Sequence, residues 1–158
     1  MKTLKLTRKD FGEGYVKKYT GKEDVSNYDG NIEIEGGLGW CSFSSLKATG
    51  SIIAGAGEGI MAGEGIKAGE GIKAGWGIVS FMNSITAKLK IVFDSRCTIG
   101  AGIFAYAGEQ EIIAQEIVGG KVIYGKVKLI EAEKPADTLK GKKVRVELDG
   151  KSYTATID

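Results

Sequence analysis

The chain has 158 residues, 42% of them apolar, which is one domain's worth of core. Twenty-five glycines stand against one proline, and 22 basic residues against 20 acidic ones. Charge this even shows neither the basic stripe of a nucleic-acid groove nor the acidity of a DNA mimic, and a chain without histidine lacks the commonest general base.

Cys41 and Cys97 lie far apart with no metal-binding spacing, which reads as reduced structural thiols in a cytoplasmic protein. The first residues, MKTLKLTRKDFGEG, lack the apolar run of a signal peptide, and no stretch of about 18 apolar residues suggests a membrane span. Residues 1–31 mix charges with Phe11, Tyr15, Tyr19 and Tyr28 between glycine turns, and predict a β-rich cap of short strands.

From residue 32 the sequence keeps a period of six, which neither helix nor ordinary strand has. Large apolar residues fall at Ile34, Trp40, Leu46 and Ile52. After a two-residue insertion at Glu58 and Gly59 come Ile60, Ile66, Ile72 and Ile78, then Ile85 and Ile91 after one more residue. Two positions beyond each anchor the residue is small, from Gly36 and Ser42 through Ala68 and Ala74 to Ala87, with Phe93 as the exception. In Ile-Lys-Ala, strand alternation turns Ile and Ala to one face and Lys to the other. Gly-Glu-Gly then turns a corner. Three sides of six residues close a triangular coil of about 18, so ten rungs predict about three coils of a parallel β-solenoid over 32–110.

The same ladder mimics other motifs. Gly57-x-Gly59-x-x-Ala62 matches a dinucleotide fingerprint, but it recurs every six residues with no helix behind it. Gly150-Lys151-Ser152 ends like a phosphate loop, yet position 145 is Arg where the motif needs Gly. Hexapeptide acyltransferases place their small residue two before the anchor, where this chain has Glu58, Glu64, Glu70 or Trp76, and they use a histidine base. An ice-binding solenoid would carry a flat threonine array. Catalytic residues, cofactors and metals are therefore not expected. Glu58, Glu64 and Glu70 are read as solvated corner charges pointing away from one another. Trp76 takes the same corner position above Glu58 and is either an exposed anchor or a cap on the core.

Residues 111–130, EIIAQEIVGGKVIYGKVKLI, read as an antiparallel strand pair turning at Gly119-Gly120. A linker with Pro135 follows, then KKVRVELDGKSYTATID, in which Asp149-Gly150 joins two alternating strands into a hairpin. The expected architecture is all-β: a parallel β-solenoid with antiparallel β-hairpins at its ends, divided at 1–31, 32–110 and 111–158.

The stretch LKATGSIIAGAGEGIMAGEGIKAGEGIKAGWGI, followed by ITAKLKI, resembles a family of uncharacterised bacterial and phage proteins with tandem GIKAGWGI-type units ahead of a β-rich tail. The resemblance implies a mobile-element context and brings no catalytic residues. The sequence thus points to a non-enzymatic protein-binding solenoid, such as a phage-encoded inhibitor of a host defence protein. A structural spacer in a virion or other assembly is the alternative. The partner would be a host protein or a second copy of the chain, rather than nucleic acid or membrane. Candidate contact residues are Trp76, Lys67, Lys73, Glu70, Tyr15 and Tyr19.

Overall fold

Ile60 lies beside Ile78 and Ile78 beside Ile99, so isoleucines distant in sequence stack in a column. The computed structural model describes residues 1–104 and 108–132, together with the backbone of strands 143–148 and 151–156. Its strands form three parallel sheets, the sides of a coil. Side one stacks Thr3–Leu6, Asn31–Ile34, Ile52–Ala54, Ile72–Lys73, Lys90–Val92 and Glu116–Val118. Side two stacks Val16–Lys18, Trp40–Phe43, Gly59–Ala62, Ile78–Ser80, Thr98–Ala101 and Lys121–Tyr124. Side three stacks Leu46–Ala48, Ile66–Ala68, Ile85–Ala87, Glu111–Ala114 and Lys126–Leu129. The fold is the parallel β-solenoid that the six-residue period predicts. Among the described residues no helix is long and apolar enough to cross a membrane.

Burial follows the ladder. Ile52, Ile60, Ile66, Ile72, Ile78, Ile85 and Ile91 are each at most 1% exposed, and Ala54, Ala62, Ala68, Ala74 and Ala87 are buried beside them. Each fully buried isoleucine contributes about 1.5–3 kcal/mol, and like stacks on like along the narrow prism. The residue between anchor and alanine faces out, which leaves Lys47, Lys67 and Lys73 exposed.

Four expectations are corrected. Among the described residues the three sides hold seventeen strands, nearly six coils, because the coil runs past both ends of 32–110, and within those bounds eleven strands make nearly four coils where about three were expected. Residues 111–130 are not an antiparallel pair: their four strands continue the three sides in parallel, with Ile112 beside Ile85 and Val127 beside Ile112. Nor is the N-terminal segment a hairpin cap. Thr3–Leu6 and Val16–Lys18 pair in parallel with side-one and side-two strands, and Tyr28 bridges in parallel to Ala48, so residues 1–30 make an irregular first coil. The fourth correction is the register of the early rungs. Ile32, not Ile34, stacks on Ile52, and Cys41 and Phe43 point inward where Trp40 and Ser42 were expected to. The corner between them is longer than the regular ones, and Gly37 and Gly39 take positive φ there, which shifts the phase.

The strands Lys143–Leu148 and Lys151–Thr156 pair antiparallel, as the sequence predicts, with Val146 opposite Tyr153. The Pro135 linker, the Asp149-Gly150 turn and Ile157 lie outside the described residues.

Candidate partner-binding corner

Side one passes to side two at one edge of the prism, and that edge carries both tryptophans and Tyr15. Trp76 sits at the corner with 37% of its surface exposed, and its amide donates to the Glu58 carbonyl of the coil below at 2.7 Å. Trp40, the first residue of its strand, faces outward. Its ring lies over Gly59 and reaches Gly77: a Cβ on Gly59 would collide with the indole, and one on Gly77 would meet Cη2 at 3.1 Å. Two buried glycines thus form a bed for one indole. The Trp40 and Trp76 rings lie 6.2 Å apart and are tilted by 55°. They are the only tryptophans in the chain.

Tyr15, 80% exposed, lines a groove of about 330 Å³ with Trp40, Trp76, Gly77, Arg96, Cys97 and Thr98 on the side-two flank. A second groove, of about 760 Å³, runs along the side-one flank between Ile53, Lys73, Val92, Asp94, Trp76 and Arg96. Trp76 and Arg96 belong to both and form the ridge between them. The Arg96 guanidinium donates to Asp94 through Nε at 3.1 Å and Nη2 at 3.0 Å, a two-point pair that fixes its plane. Hydrogen bonds from the Arg96 side chain and backbone hold the Asp94 carboxyl down at about 2.

Of the sequence-predicted contact residues, the fold brings Trp76, Tyr15 and Lys73 to this edge. Lys67 lies on side three beside Lys47 and Thr86. Glu70 sits at the corner between sides three and one and accepts from the Ser51 hydroxyl at 2.9 Å. Tyr19 packs with Phe11 and Phe43 at ring distances of 5.7 and 5.6 Å and donates to the Glu23 carbonyl at 2.9 Å. Burial, with the charge of Asp10 second, raises its phenol pKa. It covers the first coil of the core.

Glu58 is a further correction. Glu64 and Glu70 are exposed corner charges, but Glu58 is wholly buried. Its Oε1 accepts from the amides of Gly37 and Leu38, and positive φ at Gly37 helps aim these donors. The two inserted residues fold inward and tie one corner to the next. Burial, with the charge of Glu58 second, pushes the neighbouring Cys41 thiol up to about 11. Cys41 and Cys97 are both free thiols.

Sequence reasoning missed Trp40, Asp94 and Arg96. Trp40 occupied an apparent core rung, and Ser95-Arg96-Cys97 carries no motif; only the coil spacing between residues 40, 58, 76 and 96 could have joined them. Among the described residues no cluster of three or more His, Cys, Asp or Glu side chains could hold a metal ion. No protein-family model, no curated protein and no solved structure matches this chain.

Proposed function

We propose that the protein is a non-enzymatic scaffold that binds a partner protein through the corner built from Tyr15, Trp40, Trp76 and Arg96. The observation that carries this reading is the pair of tryptophans held together outside the isoleucine core. Trp, Tyr and Arg are the residues that dominate protein interfaces, because they offer large contact area with few rotamers to freeze and, in arginine, a planar donor fork. Hydrogen-bonded ladders flank this edge on both sides and the Trp76 amide is tied to Glu58 of the coil below, so the surface is preorganised and binding costs less ordering. An inhibitor of a host defence protein, encoded by a phage or other mobile element, is the form of this reading that the sequence resemblance suggests. The test is affinity capture from a host lysate with wild-type protein and Trp76→Ala, read beside their melting curves. A captured protein that is lost with Trp76→Ala at an unchanged melting temperature supports the reading; equal capture by both overturns it.

The spacer reading draws on a different observation. The last coil leaves Val127 and Leu129 42% and 63% exposed, and its three strands have no further neighbour among the described residues. Sedimentation at rising concentration separates the two readings, since end-to-end stacking would give an open series of oligomers.

A further inference from the structure

We infer that the side-one groove takes an extended acidic segment of the partner protein, with a carboxylate set against Lys73 and apolar side chains on either side of it. This rests on the protein-binding reading of the corner and adds the chemistry of the occupant.

The groove's outer wall is a ladder in which Ile53, Lys73 and Val92 are neighbours on successive strands. Ile53 is 38% exposed and Val92 half-buried, so an apolar contact lies on each side of one ammonium group. The floor is lined by small corner residues, among them Ala56, Gly57 and Gly75. Gly75 lies so close to the backbone of Gly55, Ala56 and Gly57 that a Cβ would not fit, so the two corners stack with no side chain between them. Trp76 and Arg96 complete the lining.

Charge selects the occupant. Of the three charged residues lining the groove, Arg96 and Asp94 neutralise each other at 3.0 Å. Lys73 makes no ion pair among the described residues. One uncompensated cation between two apolar contacts is not the continuous basic track that a nucleic-acid backbone needs. It matches a carboxylate flanked by apolar side chains. Adjacent strands lie about 4.8 Å apart, so Ile53 and Val92 are about 10 Å apart, and an extended peptide turns every second side chain, about 6.6 Å apart, to one surface. The segment is therefore expected to carry Asp or Glu with an apolar residue two positions before it and another two positions after it.

The experiment selects from a random 12-residue peptide library displayed on phage, using the full chain as bait. Binding of the selected peptides is then measured by the emission of Trp40 and Trp76. The expected result is enrichment of the apolar–acidic–apolar pattern, with Lys73→Glu weakening those peptides by about tenfold or more and reselection on that variant enriching Lys or Arg instead. Lys73→Ala, which adds no repulsion, should weaken them less. Selected peptides without a carboxylate, or acidic peptides indifferent to Lys73→Glu, overturn the inference. Tighter binding of a ten-nucleotide oligothymidylate than of any selected peptide also overturns it. If Trp76→Ala abolishes binding while Lys73→Glu is silent, the corner stands and the acidic occupant falls. If both variants bind like wild type, both readings fall.

Discussion

Replacing Ile66 by alanine should cost far more than replacing Lys67, its neighbour in the same strand. Ile66 is 1% exposed and lies between Leu46 on the coil below and Ile85 on the coil above. Those neighbours are pinned by their own ladders and cannot collapse into the space. A truncation of this kind costs about 2–5 kcal/mol, and the rigid stack places it in the upper half of that range. At about 2–4 °C per kcal/mol for a chain of this size, the melting temperature should fall by about 10 °C. Lys67 faces solvent, so Lys67→Ala should stay within about 0.5 kcal/mol, or about 2 °C. Thermal melts followed by far-ultraviolet circular dichroism read both variants. Equal shifts, or a larger one for Lys67→Ala, would refute the inward register of this rung and with it the side assignment of every rung stacked on it.

Gly75→Ala should destabilise more than Gly59→Ala, because the added methyl meets fixed backbone at Gly75 but the movable Trp40 ring at Gly59; Gly59→Ala should instead shift tryptophan emission with a smaller change in melting temperature. Glu58→Ala leaves the Gly37 and Leu38 amides without their acceptor and should cost about 1–3 kcal/mol in a denaturant titration. Glu70→Ala, at an exposed corner, should change stability little. Cys41 should resist iodoacetamide at about pH 9, where an ordinary thiol is half ionised, because burial favours its neutral form. Since the folded value lies above the unfolded one, this contribution to stability is complete below the ordinary thiol range and is lost as pH rises through about 11. Rapid labelling of Cys41 by mass spectrometry would contradict the inward placement of that rung.

The regular stretch from Ile60 to Ile91 was legible because each anchor and its small partner repeat the same local geometry. Legibility failed where a corner changed length. The corner at residues 35–39 spans extra glycines, and the period alone carried the anchor onto Ile34 and Trp40 in place of Ile32 and Cys41. Residues 111–130 misled for another reason. Gly119-Gly120 is as good a hairpin turn as a solenoid corner, and only the pairing of Ile112 with Ile85, distant in sequence, decides between them. The burial of Glu58 depends on amides donated by the preceding coil, which no local pattern reveals. The corner site was half visible: Trp76 stood out by occupying a glutamate position, but Trp40 joins it only through the coil geometry.

Whether partners meet the edge carrying Trp40 and Trp76 can be read from hydrogen–deuterium exchange with and without a bound partner or selected peptide. Binding at that edge should add protection around residues 13–17, 53–57, 73–77 and 92–98, which converge on it, and leave the side-three strands around Lys47 and Lys67 unchanged. Protection confined to side three, or to the last coil at residues 121–129, would contradict it.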